Sequence, residues 1–158
     1  RMVLRDGAAR IMSLRDPTRK MSKSDPDPNG VVYLTDSADA AARKYRSAVS
    51  DPDHLPSEAA GLEGRPAAAS LVGLLAAMTD RSADAVLAEL GGKGFAALKS
   101  ALAAAHEERI VPIGRRMAEL LGEDGGRPVR EVLASGAERA DRVARATVCE
   151  GYGIVGFA

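Results

Sequence analysis

Two lysines three residues apart, Lys20 and Lys23, stand beside Ser22 and Ser24 in the run "RKMSKSDPDPNG" at residues 19 to 30. Of the 22 Lys and Arg residues only five are lysine, and two of those fall inside this one short window. Lysine carries a compact charge on a flexible stem, whereas arginine presents a planar fork suited to fixed bidentate contacts. A loop that must follow phosphate charge as it moves through a reaction favours the first kind. Ser22 and Ser24 add short donors, and backbone N–H groups of a loop can converge on the same anion. The types and spacing point to phosphate handling; an exposed polar loop is the competing reading.

The same stretch admits a calcium reading. Asp25, Asp27, Asn29, Gly30 and Val32 match the first, third, fifth, sixth and eighth positions of an EF-hand loop, with Asp36 at the twelfth. Against it, the twelfth position calls for a longer Glu, Pro26 and Pro28 stiffen the loop, and no amphipathic helix leads in. Other candidates are weaker. "GGKG", Gly91 to Gly94, lacks the flanking residues and preceding strand of a phosphate loop and reads as a helix-ending turn. His54 and His106 have no partners at catalytic spacing, and His106 is expected at the surface or boundary of its helix. Cys149, the single cysteine, cannot form an internal disulfide and reads as core. No metal site is expected. Arg109, Arg115, Arg116, Arg127, Arg130, Arg139, Arg142 and Arg145 can present an RNA-facing surface, but interspersed Asp and Glu favour a solvated, paired face.

The elements that would position the lysines read as strand, loop, strand, helix. "RIMSL", Arg10 to Leu14, is a short apolar run before Asp16-Pro17, and "VVYL", Val31 to Leu34, is β-branched and aromatic between turn residues. Thr35, Asp36 and Ser37 can cap a helix from about Ala38 to Val49, with Ala41, Ala42, Tyr45, Ala48 and Val49 on one face. Beyond residue 50 the periodicity is helical throughout. Pro66 opens a helix bearing Leu71, Leu74, Leu75 and Met78; Ser82 opens a short one bearing Val86, Leu87 and Leu90; Phe95, Leu98 and Leu102 begin a third. Pro112 predicts a break before Ile113, Met117 and Leu120. A last helix near Pro128 carries Val129, Val132, Leu133, Ala137, Ala140, Val143 and Val148 on one face, and Gly151 to Gly153 should end it.

The bulk numbers set the frame. With 158 residues, 46% hydrophobic and 28% charged, the chain has room for one core or two small ones. Net charge is zero, yet residues 1 to 24 hold seven Lys or Arg against two Asp, a local +5 that would attract an anion. The longest apolar stretch, "PAAASLVGLLAAM", is too short and alanine-rich to span a bilayer, and the first residues lack a signal-peptide layout. A cytoplasmic protein is expected. The chain enters an apolar segment almost at once after Arg1, as the interior of a domain would, so we expect a piece of something longer.

At this point "GAARIMSLRDPTRKMSKSDP" resembles the signature segment of class I aminoacyl-tRNA synthetases, and its flanks resemble the bacterial tryptophanyl branch. "RSAVSDPD", "GRPAAASLVGLLAAMTDRS", "RIVPIGRRMAELL" and "VLASGAERADRVARATV" resemble successive segments of the same family's carboxyl half. The resemblance implies a mainly α chain with a small α/β part. Residues 1–50 would end a Rossmann-type catalytic domain, and residues 51–158 would form a helical, tRNA (anticodon)-binding domain. It implies ATP with Mg2+, L-tryptophan and tRNA(Trp) as partners, a homodimer in the full-length protein, and tryptophan activation followed by transfer to tRNA. Lys20 and Lys23 would be catalytic; Lys20, Met21, Ser22, Lys23 and Ser24 would close over ATP, with Ile11 meeting the adenine through its backbone. The family's His-containing Gly-rich turn and its tryptophan pocket have no counterpart in these residues, so the chain alone should be inactive. A tyrosyl-type fragment, or a noncatalytic helical RNA- or calcium-binding module, are the alternatives.

Overall fold

The computed structural model describes residues 10–157. Residues 1–9, which include part of the basic segment and the start of the signature resemblance, lie outside the described residues. Contacts divide the chain into two compact units after Arg115. The first unit holds helices α1 (Ala38–Ser47), α2 (Pro66–Thr79), α3 (Ala83–Leu90) and α4 (Phe95–Arg109). Helix α5 (Val111–Gly122) runs across the division, and α6 (Arg127–Val155) belongs to the second unit.

Each helix of the first unit starts and stops for a local reason. The Ser37 side chain accepts from the Ala40 N–H to cap α1, and Ser82 caps α3 through the Ala85 N–H. Pro66 sits in the first turn of α2, where its missing N–H costs nothing. Between α4 and α5 the break falls at Ile110, two residues before Pro112, as that proline predicts. The "GGKG" turn ends α3 and anchors the preceding loop: Gly92 N–H donates to the Leu55 carbonyl and Leu55 N–H to that of Lys93. A Cβ at Gly91 would lie 2.7 Å from the Leu87 carbonyl oxygen and 2.9 Å from the Ser57 Cα, so this close approach requires glycine.

One core unites the first unit. Leu71, Val72 and Leu75 of α2, Val86, Leu87 and Leu90 of α3, and Phe95, Leu98 and Leu102 of α4 cluster with Ala41 and Tyr45 of α1 and with Leu14. Helix α4 packs on both α1 and α2. Its Lys99 ammonium donates to the Arg46 and Ala48 carbonyls at 3.1 and 2.7 Å, closing the carboxyl end of α1.

Several expectations change. No strand forms among the described residues. The backbone bonds of residues 11–14 go to three separate segments, at Arg19 and Met21, at Gly30, and at Val49. Only one antiparallel bridge results, between Met12 and Lys20. In the "VVYL" segment the Tyr33 N–H donates to the Asp36 side chain rather than to a neighbouring strand. Helix α1 stops at Ser47, leaving Val49 exposed. His106, expected at the surface, is buried, with its Nδ1 3.0 Å from the Tyr45 hydroxyl and its Nε2 without a partner. The helix face that sequence reading took as apolar extends to include it, because α1 covers that side of α4.

In the second unit α6 passes through Gly151 and Gly153 and ends only where Gly156 turns left-handed, at φ 77°. Two isolated glycines weaken a helix without breaking it. No residue of α6 is buried; Val132, Val143, Val148 and Val155 face solvent, and Cys149 is exposed rather than core. Two of its arginines pair along the surface, Arg127 with Asp124 and Glu131, and Arg145 with Asp141, while Arg130 donates to the Gly125 and Asp124 carbonyls.

Candidate nucleotide-binding loop

The lysine loop rests on a tight hairpin. Asp16 folds the turn: its carboxylate accepts from Thr18 N–H at 3.0 Å and Thr18 Oγ1 at 2.6 Å, and its carbonyl accepts from Arg19 N–H. These Thr18 bonds hold the Asp16 carboxyl below its ordinary pKa. Ser13 N–H then donates to Arg19 O at 2.8 Å, and Met21 N–H to Ile11 O at 2.9 Å. Ile11 and the loop are thereby joined by one backbone bond. Met21 is half-buried and packs against the core, so the residues on either side of it are carried outward.

On both sides of Met21 the side chains are open. Lys20, Ser22, Lys23 and Ser24 are exposed, and the Ser22 and Ser24 hydroxyls lie 3.0 Å apart. Among the described residues neither the Lys20 nor the Lys23 ammonium has an ion-pair or hydrogen-bond partner. Two free ammonium groups and two adjacent hydroxyls on a short loop are a donor set for a multiply charged anion. All six residues singled out from sequence therefore fall on one hairpin.

The loop's exit is stiff and internally bonded. Asp25 accepts from Ser13 Oγ at 3.3 Å and from Asp27 N–H at 3.1 Å; Asp27 accepts from Asn29 N–H at 2.9 Å. That Asn29 bond is the main reason the Asp27 carboxyl titrates below its ordinary value, with Arg15 assisting. A Cβ at Gly30 would fall 2.8 Å from Ser13 Oγ and 2.9 Å from Asp25 Oδ2, so the exit is packed against the hairpin. Arg15 ties it further, donating to Asp27 at 3.1 Å and to the Ser47 carbonyl at 2.5 Å. These bonds go against the calcium reading. The carboxylates that would ligate a cation are turned to backbone N–H groups, and Asp36 pairs with Lys44 at 2.6 Å. Among the described residues no group of three or more His, Cys, Asp or Glu is placed to hold a metal.

Sequence reading missed the supports: Ser13, Arg15, Asp25, Tyr33, Asp36 and Lys44. Only the eight-residue gap from Asp36 to Lys44, across one turn and a helix start, carried any local signal; the Ser13–Asp25 contact depends on the hairpin. A cleft of about 560 Å³, lined by Ala42, Arg46, Phe95 and Lys99 among others, includes no loop residue.

Comparison with known proteins agrees with the loop. Residues 3–110 match the family described as tRNA synthetases class I (W and Y). The tryptophan–tRNA ligase of Rhizobium meliloti (strain 1021) is 47% identical over 150 residues, covering 95% of this chain and 42% of the relative. That of Caulobacter vibrioides is 44% identical over 149 residues, covering 94% of this chain and 43% of the relative. A crystal structure of tryptophanyl-tRNA synthetase from Mycoplasma pneumoniae superposes with a TM-score of 0.73 at 28% identity, over 99% of this chain and 48% of that one. The chain thus spans about two fifths of the length of these curated relatives. A mainly helical fold with the lysine hairpin at its head, and a family match over the first 110 residues, agree: this chain belongs to the class I tRNA synthetases of the tryptophan and tyrosine group.

Proposed function

We propose that the chain is the carboxyl-terminal part of a bacterial tryptophan–tRNA ligase, carrying the loop that handles the phosphates of ATP. The observation that carries this is the hairpin at residues 11–24, which presents two ammonium groups without a partner among the described residues, and two hydroxyls, next to the Ile11 backbone. Relatives named for tryptophan at 47 and 44% identity favour that amino acid over tyrosine.

In this reading the tryptophan carboxylate attacks the α-phosphorus of ATP, magnesium pyrophosphate leaves, and the aminoacyl group passes to tRNA(Trp). Negative charge grows on the departing phosphates, and positioned cations act where it develops. Lys20 and Lys23 supply those cations, Ser22 and Ser24 donate to phosphate oxygens, and Met21 anchors the loop in the core. Because the Ile11 carbonyl accepts the Met21 N–H, an adenine seated on the Ile11 backbone is coupled directly to the loop. Mg2+ enters with the ATP phosphates. Residues 1–50 serve the nucleotide and 51–158 meet tRNA, and α1 of the first part packs on α4 of the second. The rest of the catalytic domain, the tryptophan pocket and the homodimer contact belong to the complete polypeptide. The proposed location is the cytoplasm; among the described residues no helix is long and apolar enough to cross a membrane.

The test is Lys23→Ala in the complete polypeptide. Adenylate formation in stopped flow should slow about a hundredfold, equivalent to about 3 kcal/mol, while tryptophan binding stays unchanged. Equal loss of both would sink the assignment.

A further inference from the structure

We propose that Tyr33 is a positioning residue for the lysine loop, an inference that rests on the ATP reading of that loop. Among the described residues, the hydrogen bonds of Ser22, Lys23 and Ser24 stay within residues 22–25 with one exception. That exception is the Tyr33 hydroxyl, which donates to the Lys23 carbonyl at 3.4 Å. The ring that carries this hydroxyl is itself fixed. The Lys44 ammonium lies over it, 4.8 Å from its centroid, and is pinned by Asp36 at 2.6 Å. Asp36 also accepts the Tyr33 backbone N–H at 2.9 Å. The Lys44 and Asp36 side chains are only 12 and 15% exposed, so this support is largely screened from water.

The chain of contacts runs from the last turn of α1, through Lys44 and the Tyr33 ring, to the backbone of Lys23, whose own ammonium has no partner among the described residues. At 3.4 Å the last link is long for an O–H···O bond, so it holds the loop lightly. A light tether suits a loop that must close over a substrate: it narrows the resting ensemble without opposing the movement. Losing it leaves ATP to organise a freer loop, which weakens apparent ATP binding.

Two readouts test this. In the 158-residue chain, Tyr33→Phe keeps the ring and its cation and removes only the hydroxyl. Trypsin should then cut after Lys23 about two- to fivefold faster relative to cutting after Arg139, with the thermal midpoint unchanged. Lys44→Gln, which removes the cation from the ring, should shift the ratio the same way. In the complete polypeptide, Tyr33→Phe should raise the ATP KM in pyrophosphate exchange by a similar factor and leave the tryptophan KM unchanged. An unchanged cleavage ratio in Tyr33→Phe overturns the tether, and a faster cut with an unchanged ATP KM overturns its positioning role. If the complete wild-type polypeptide shows no exchange, the ATP reading itself has failed; a raised cleavage ratio would still support Tyr33 as the loop's anchor.

Discussion

Helices α2 to α4 and helix α6 each carry regularly spaced apolar residues and end in opposite states. Leu71, Val72, Leu87, Leu98 and Leu102 are essentially inaccessible, whereas Val132 and Val143 of α6 are 72 and 82% exposed. Periodicity specifies which side of a helix can face a neighbour; it does not supply the neighbour. In the first unit α4 is covered by α1 and α2, and α2 by α3. Over its 29 residues, α6 gains instead from surface ion pairs worth about 0.3–0.5 kcal/mol each and loses about 1 kcal/mol at each interior glycine. Stability in this chain therefore resides in the unit that holds the lysine hairpin.

That contrast can be broken most directly at Leu98. Leu98→Ala should lower unfolding free energy by about 2–5 kcal/mol in denaturant titration, since the fully enclosed site leaves a cavity. A loss under about 1 kcal/mol would mean that the first unit is not the stable one. A smaller effect comes from His106. Burial lowers its pKa, so the folded state binds a proton less readily than the unfolded chain, whose imidazole titrates near the ordinary 6.5. Its contribution is complete above that value and declines as pH falls below it, until the folded-state pKa is reached. The thermal midpoint should fall between pH 7.5 and 5.5, and His106→Gln should flatten that slope; an identical slope in both proteins would remove His106 from the account. The smallest effect is expected at Val143→Ala, within about 0.5 kcal/mol, because an exposed valine gives up little packing and alanine favours the helix. A larger loss would show that this face is covered in solution.

Local chemistry was legible where it acts locally. Ser37, Ser82, Pro66, Pro112 and the "GGKG" turn mark helix ends within a residue or two, because capping and proline sterics need no distant partner. The candidate lysines and serines stood out for a similar reason, since an unusual choice of lysine beside serine lies within a few positions, whereas Ile11 and Met21 came only from the family resemblance. Apart from the stop expected at Gly151 to Gly153, where local propensity was overestimated, the failures concern neighbours. "RIMSL" and "VVYL" have strand composition, yet a strand exists only with a continuous partner, and theirs are divided or replaced by the Asp36 side chain. His106 is polar, and nothing beside it in sequence says that Tyr45, 61 residues earlier, supplies a hydroxyl. Cys149 was assigned to a core by residue type, on a helix that has none.

The Lys99 ammonium on the end of α1 bears on how the protein would appear to a polyanion. Burial, with Arg15 nearby, lowers the Lys99 pKa, and its donors are already committed to the Arg46 and Ala48 carbonyls. Lys44 is likewise committed to Asp36. A tally of lysines therefore overstates the cationic surface: two of the five hold the scaffold together and offer little charge to an anion.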